Sequence, residues 1–402
     1  MRMVRVAAFL AWRSITRGNF GIASTTTLML LLIYMSLLFL PSLIQGAVNR
    51  VNTQLVNTLT TDIVIQPDTR AGSIDNAGAL LASIRQTPGV DQATAVVRVG
   101  SQISYQGNSG SFSVEAIDPS SFAQVFTTAS NIFSGHYLSA QGPGQVFMGI
   151  GVAGAGQTSA RGYRASLESV YTGDQVAITL SNGQTHSFTV VGIYDNQFPL
   201  SDGNAYITLD QADQLLPGVA DQATAIYVRT DADANVNQVV AALTPLQSGV
   251  KFETSADLGS AVQDQVAAFN LISDILKIVS LLMAAITIFI ITYVDLVNKR
   301  RQIGIQRAIG IRSAPIVLSY VLKAWVYALV GIGAGFLLFQ YALTPVVRGH
   351  PFQFPNGPVT LATTGGEMSA DLVFLVVVAA IAALIPAVRS VRLRILDAIW
   401  GS

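Results

Sequence analysis

The chain has 402 residues, 51% of them hydrophobic and only 11% charged, whereas a soluble domain carries about 25% charged residues. This deficit points to a membrane protein and excludes an ordinary soluble enzyme. The formal net charge of zero hides a segregation of charge by region, and the absence of cysteine excludes disulfide and thiolate chemistry.

Met1–Asn19 has the pattern of an amphipathic helix lying on a membrane surface (segment 1–21). Val4, Ala7, Ala8, Ala11, Trp12 and Ile15 form an apolar stripe opposed by arginines. A first span follows at about Ile22–Ile44, too long for a signal-peptide core and read as a retained anchor.

Residues 45–270 have α+β texture. Asp62–Gln66 is expected as a strand, Pro67–Ala77 as a polar loop, and Gly78–Gln86 as a helix stopped by Pro88 and Gly89. Strands are expected at Ala93–Tyr105 and Ser111–Ile117, joined by a turn over Gly107–Gly110. Gln175–Leu180 and Thr185–Ile193 flank an Asn-Gly pair, a strong hairpin signal. Tyr206–Leu209 leads into a helix at Gln211–Leu216, Ala223–Arg229 is a strand, and Asn235–Leu246 a helix. From about Leu258 a helix is expected to run without a breaker into the second span, Leu271–Val297, as a stalk. A third span is expected at Pro315–Tyr341, whose Gly331, Gly333 and Gly335 favour close helix approach. After an outer loop, 342–371, comes a fourth at Leu372–Val388 and a tail, 389–402.

Charges beside the spans set the orientation. Arg2, Arg5, Arg13 and Arg17 precede the first span without an acid, and Lys299, Arg300, Arg301, Arg307 and Arg312 separate the second from the third. Arg389, Arg392 and Arg394 follow the fourth against Asp397 alone. These three segments are expected in the cytoplasm. Gly46–Asn270 has eighteen acidic and eight basic residues and is expected outside a cytoplasmic (inner) membrane crossed four times.

Few motifs carry chemistry. A P-loop needs a Gly-Lys step, and none of Lys251, Lys277, Lys299 and Lys323 follows a glycine. The chain is therefore expected to be non-catalytic, without cofactor or metal. Gly149-Ile-Gly-Val-Ala-Gly154 matches a dinucleotide fingerprint but reads better as a tight strand-to-helix turn, because no βαβ series surrounds it. His136, His186 and His350 lack the spacing of a metal site. Asp295, near the inner edge of the second span, is expected to cap the helix or pair with Lys299 and Arg300.

The most informative segment is Lys299–Arg312, cytoplasmic in this topology (298–314). Topology alone explains its arginines but not Ile303, Gly304, Ala308, Ile309 and Gly310. A short helix docking in a partner's groove explains both, with Gly304 allowing close approach to that partner.

Ile303-Gly304-Ile305, then Arg307-Ala308-Ile309-Gly310, resembles the R-x-x-E-I-G-h-h-R-A-h-G block of FtsX-like permeases, the membrane subunits of MacB-type and LolCDE-type ABC exporters. Ile385–Trp400 resembles the family's P-A-x-x-A-x-x-x-x-P-h-x-A-h ending. Gln302 stands where the family usually has Glu, Gln306 replaces a usual Leu, and Ile395 a usual Pro.

The resemblance implies a four-helix permease of the mechanotransmission class. Its outer domain would have a porter-like part (49–118 and 221–257) and an inserted β-rich part (119–220). The coupling residues would be Arg301, Gln302, Ile303, Gly304, Ile305, Arg307, Ala308, Ile309 and Gly310. Implied partners are a cytoplasmic ABC ATPase, a second permease copy (identical or paralogous), membrane lipids and a periplasmic adaptor or delivery protein, with no nucleic acid. The load would be lipid, lipoprotein, peptide or drug, handled at the outer side. The alternative is an FtsX-like regulator that activates an extracytoplasmic enzyme such as a cell-wall hydrolase.

Overall fold

The structure is a computed structural model and describes residues 2–17, 20–68, 72–140, 142, 144–154, 166–258, 260–354, 357–363 and 365–391. In chain order it contains α1 (Arg2–Thr16), α2 (Phe20–Leu55), β1 (Ile63–Pro67), β2 (Ile74–Asp75), α3 (Ala77–Arg85), β3 (Val90–Tyr105) and β4 (Asn108–Ile117). Then come α4 (Pro119–Val125), β5 (Ile132–Gly135), β6 (Gln145–Gly149), α5 (Ile150–Ala153), β7 (Gln175–Leu180), β8 (Thr185–Tyr194) and β9 (Asn204–Thr208). The outer part continues through α6 (Leu209–Leu215), β10 (Gln222–Ala223), β11 (Ala225–Thr230), α7 (Val236–Leu243), β12 (Val250–Thr254) and α8 (Ser255–Leu258). The chain ends through α9 (Ser260–Asn298), α10 (Arg300–Ala308), α11 (Ser313–Leu338), α12 (Thr344–Gly349), β13 (Phe352–Phe354), β14 (Gly357–Val359) and α13 (Gly365–Val391). Two compact units result, Asn49–Gln265 with Gln353–Pro358, and the remainder.

Among the described residues the helical unit contains four helices long and apolar enough to cross a membrane, on α2, α9, α11 and α13. Their shared core joins Leu30, Tyr34 and Leu37 of α2, Ala284 and Ile288 of α9, Ala328 and Ile332 of α11, and Leu375 and Ala379 of α13. Small residues set the spacing. A Cβ on Gly331 would lie 2.9 Å from Leu30 Cβ, and one on Gly335 would lie 3.2 Å from the Leu31 carbonyl, whereas one on Gly333 would meet nothing. Two of the three glycines expected to admit a neighbour therefore do so. Only 17% of the apolar window of α9 is buried within the chain, so its surface must be covered by lipid or another helix.

The third span runs further than expected. After α11 the backbone stays helical through a π turn at Phe339–Leu343 and α12, so the expected outer loop begins inside a helix. Thr344 Oγ1 donates to the Phe339 carbonyl at 2.9 Å, an acceptor that also takes the Thr344 amide across the π turn. The expected stalk is described as α8 ending at Leu258 and α9 starting at Ser260, and residue 259 lies outside the described residues.

The other unit is built on a ten-stranded mixed sheet in the order β12-β1-β11-β3-β4-β9-β6-β8-β5, with β7 joining β3 to β8. That last pairing closes a ring. From β3 the ladders run to β4, β9, β6, β8 and β7 and return to β3. The long strand β3 makes this possible by pairing with β11 over Val90–Val96 and with β7 over Gly100–Ser104. Inside the ring pack Val97, Ile103, Val114, Val146, Ile178, Phe188, Val190 and Ile207, all buried. Alternating β-branched and aromatic residues suit such a closed sheet. A second core lies under α3 and α7, where Leu80, Ile84, Val239 and Leu243 meet Ile63, Ile65 and Ile226.

Local chemistry accounts for several boundaries. Asp118 accepts from the Ser120 and Ser121 amides and Pro119 opens α4, a capped helix start. The hairpin between β3 and β4 is tighter than expected. Tyr105 pairs with Asn108, leaving only Gln106 (φ 46°) and Gly107 (φ 90°) in the turn. Two successive positive φ values match the twist of the flanking strands, so Asn108–Gly110 are drawn into β4. The expected polar loop Pro67–Ala77 contains β2, paired with β10, although residues 69–71 lie outside the described residues. The expected strand Ala223–Arg229 divides at Thr224 into β10 and β11.

The Gly149–Gly154 fingerprint is a tight strand-to-helix turn. Ile150, Gly151, Val152 and Ala153 are all buried, and a Cβ on Gly149 would collide with the Asp202 carbonyl. Asp202 is itself held, because its carboxylate accepts from the Asn196 amide at 2.9 Å and the Phe198 amide at 3.1 Å. Gly149→Ala must therefore push apart two fixed backbones, at a cost of about 1–3 kcal/mol. The expected outcome is a lower thermal midpoint in the purified chain, and an unchanged midpoint would contradict the close approach.

Candidate functional site

The segment singled out by sequence is a helix with distinct faces. α9 ends at Asn298 and Lys299 (φ −103°, ψ 10°) makes the corner. The Ile303 amide then donates to the Lys299 carbonyl at 3.1 Å, starting α10. At the other end the Gly310 amide donates to the Arg307 carbonyl and the Ile311 amide to the Gln306 carbonyl, both at 3.1 Å, with Gly310 at φ 95°. This pair of bonds over a left-handed glycine is a Schellman stop. Gly310 thus ends the helix and frees the chain to enter α11.

Ile303 is 4% exposed and packs with Leu296 of α9, Ile316 and Tyr320 of α11, and Ala387 and Val391 of α13. Gly304 is buried as well. Gln306 and Arg307 are half-buried, while Arg301, Gln302 and Ala308 are exposed. Ile305 and Ile309 are 48% and 72% exposed. Positions 301, 305, 308 and 309 share one helical stripe, so the outward face is an isoleucine pair beside an arginine.

Beneath the corner is a buried charge cluster. Asp295 and Lys323 are 6% and 7% exposed. Lys323 Nζ donates to Asp295 Oδ2 at 2.7 Å, and Lys299 Nζ lies 3.2 Å from Oδ1. Lys299 Nζ also donates to Ser14 Oγ at 3.0 Å, which ties in α1. Lys323 sits 5.6 Å from the Tyr327 ring centroid. The pairing of Asp295 with Lys299 is as expected. Lys323 was missed, although a lone lysine in an apolar span signals a buried partner.

A polar cleft of about 510 Å³ in the sheet unit is lined by Arg98, Glu115, Tyr227 and neighbours. Arg98 Nε donates to Ser113 Oγ at 3.1 Å, which donates to Glu115 at 3.0 Å. Burial pushes the Glu115 carboxyl up, opposed by the Ser113 hydrogen bond and the Arg98 charge.

Residues 23–246 match the model of the MacB-like periplasmic core domain, and residues 275–395 match the FtsX-like permease C-terminal model. The first match alone covers more than half of the chain. The chain belongs to the MacB/FtsX-type permeases of ABC transporters. Among curated relatives, the macrolide export ATP-binding/permease protein MacB of Hahella chejuensis is 26% identical over 162 residues, covering 38% of this chain and 24% of that protein. The chain thus spans about a quarter of the length of that relative.

Among solved structures, the periplasmic region of MacB from Actinobacillus actinomycetemcomitans aligns with a TM-score of 0.37 and 13% identity, covering 52% of this chain and 95% of that one. The extracellular domain of the noncanonic ABC-type transporter YknZ from Gram-positive bacteria aligns with a TM-score of 0.34 and 12% identity, covering 48% and 98%. In this permease, α10 and the charge cluster both lie inside the FtsX-like match. The family-like ending is described only to Val391, and residues 392–402 lie outside the described residues.

The charge cluster is directly testable. Asp295→Ala strands Lys323 in an apolar bundle, a loss of about 3–5 kcal/mol for a buried pair broken on one side. Adding Lys323→Met removes the stranded charge and is expected to recover most of that loss in the thermal midpoint of the purified chain. Equal midpoints for the single and double variants would show that the pair is not coupled.

Proposed function

We propose that this permease couples ATP hydrolysis by a partner ATPase chain to movement of its large sheet domain, with the load handled at the outer side of the membrane. The carrying observation is the division of α10. Ile303 anchors it under three spans, Gly304 is buried beside it, Gly310 ends it, and Arg301, Ile305 and Ile309 stay exposed. A helix anchored in this way passes on a push instead of yielding to it. The permease chain itself is non-catalytic in this reading, binds no cofactor, and works as a pair with an identical or paralogous copy. Motion would pass along α9 and the end of α2. The Hahella relative is named as a macrolide exporter. Amphipathic drugs accordingly stay among the candidate loads with lipids, lipoproteins and peptides.

The coupling residues separate by face. Ile305→Asp and Ile309→Asp place a charge in a desolvated contact, where an unpaired charge costs several kcal/mol. Both are expected to abolish co-purification of the ATPase while leaving the permease folded. Gly304→Trp is expected instead to destabilise the permease itself, because Gly304 is buried within the chain. Undiminished pull-down and transport-linked ATP turnover in both aspartate variants would end the coupling reading.

Orientation is the other half of the proposal, with α1, α10 and both termini in the cytoplasm and the sheet domain outside. The chain has no cysteine, so single cysteines report cleanly. Cysteines at Ser109 and Ser181 are expected to label with impermeant maleimide in intact cells, and one at Ser313 only after lysis. Labelling of Ser313 but not of Ser181 in intact cells reverses the topology.

A further inference from the structure

At the end of the bundle where α1 meets α10 and α11 lies a cavity of about 310 Å³. Arg13 of α1, Arg17 just beyond it, Lys299, Gln302 and Gln306, and Lys323 of α11 all line it. Four cations thus converge from separate elements, and the one described carboxylate beneath them, Asp295, is shared by the two lysines. Among the described residues Arg13 and Arg17 have no acidic partner. A bias that only fixed topology would be satisfied by arginines scattered along the surface. Here they gather around one concavity.

The glutamines sharpen this reading. Gln302 and Gln306 stand where the family's block usually has Glu and Leu, and at i, i+4 both turn toward the same cavity. One departure removes a negative charge from the lining and the other adds an amide donor. Both favour an anion with several oxygen acceptors, which guanidinium groups bind through paired hydrogen bonds.

The flank of α1 indicates the source of that anion. Val4 and Trp12 are 54% and 68% exposed, two apolar side chains on one flank suited to the headgroup boundary of a bilayer. With α1 lying at the bilayer surface, the cavity would open at the depth of lipid phosphates, where anionic lipids and basic residues attract. We propose that it is a binding site for the headgroup of an anionic phospholipid, seated between α1, α10 and α11. Headgroup binding needs no ATPase, so the site stands or falls separately from the coupling proposal.

The test uses the full-length chain, delipidated in detergent, and thermal-shift titration with short-chain phosphatidylglycerol, short-chain phosphatidylcholine and inorganic phosphate. Phosphatidylglycerol is expected to bind at least tenfold tighter than the other two. Arg13→Gln with Arg17→Gln is expected to weaken it at least tenfold without moving the lipid-free midpoint. Gln302→Glu, which returns a carboxylate to the lining, is expected to weaken it several-fold. Equal binding of phosphatidylcholine overturns the proposal and leaves the cavity to an acidic segment of a protein partner. Inorganic phosphate matching phosphatidylglycerol overturns the lipid source, and undiminished binding in both sets of variants overturns the site.

Discussion

Ionised groups inside an apolar bundle are tolerated only where each finds a partner at hydrogen-bonding distance, and Asp295 satisfies that condition for two lysines at once. Its carboxylate joins Lys323 in the middle of one span to Lys299 at the corner where another span ends. Lys299 in turn reaches Ser14 on α1. Three elements with little reason to adopt a common depth are thereby fixed to one another. The alternative to each contact is an unpaired charge in hydrocarbon, so the arrangement resists sliding more than apolar packing alone would. The corner at Lys299 inherits this constraint, and α10 starts from a fixed point.

The sheet unit solves a different problem. A sheet of ten strands has exposed ladders at its edges unless something covers or pairs them. By pairing with β4 and β7 along its second half, β3 lets six strands close on themselves. Only the branch through β11, β1 and β12, together with β5, is left outside the ring. The first half of β3 belongs to the core under α3 and α7, and the second half belongs to the ring interior. One strand therefore carries two cores, which share a continuous backbone ladder.

Much of this was legible in the sequence where local chemistry decides. The four spans, the Asn-Gly hairpin between β7 and β8, and the helix of α7 after Asn235 follow from hydropathy, turn residues and caps. The ring closure was not legible, because nothing in β3 or β7 advertises which distant strand will be its neighbour. Pairing over long separations is settled by tertiary packing. At the candidate site the helix and its basic character were readable, but its faces were not. Gly304 suggested close approach, and the structure buries it beside Ile303, which packs under three spans. Lys323 escaped notice for the opposite reason. A single charge in a long apolar run contributes little to any average, although its cost in hydrocarbon makes it informative.

The residues of the α10 block therefore fall into structural groups that a linear motif merges. Ile303 holds the helix to the bundle, Gly310 stops it, and Ile305 and Ile309 are left outward. Gln302 and Gln306 turn toward the basic cavity instead. A carboxylate at Gln302 would lie among Arg13, Arg17, Lys299 and Lys323 and would neutralise part of their field. The amide leaves that field intact and still offers hydrogen bonds. The two departures from the family pattern thus act on the cavity, while the apolar anchor and the outward isoleucines are kept.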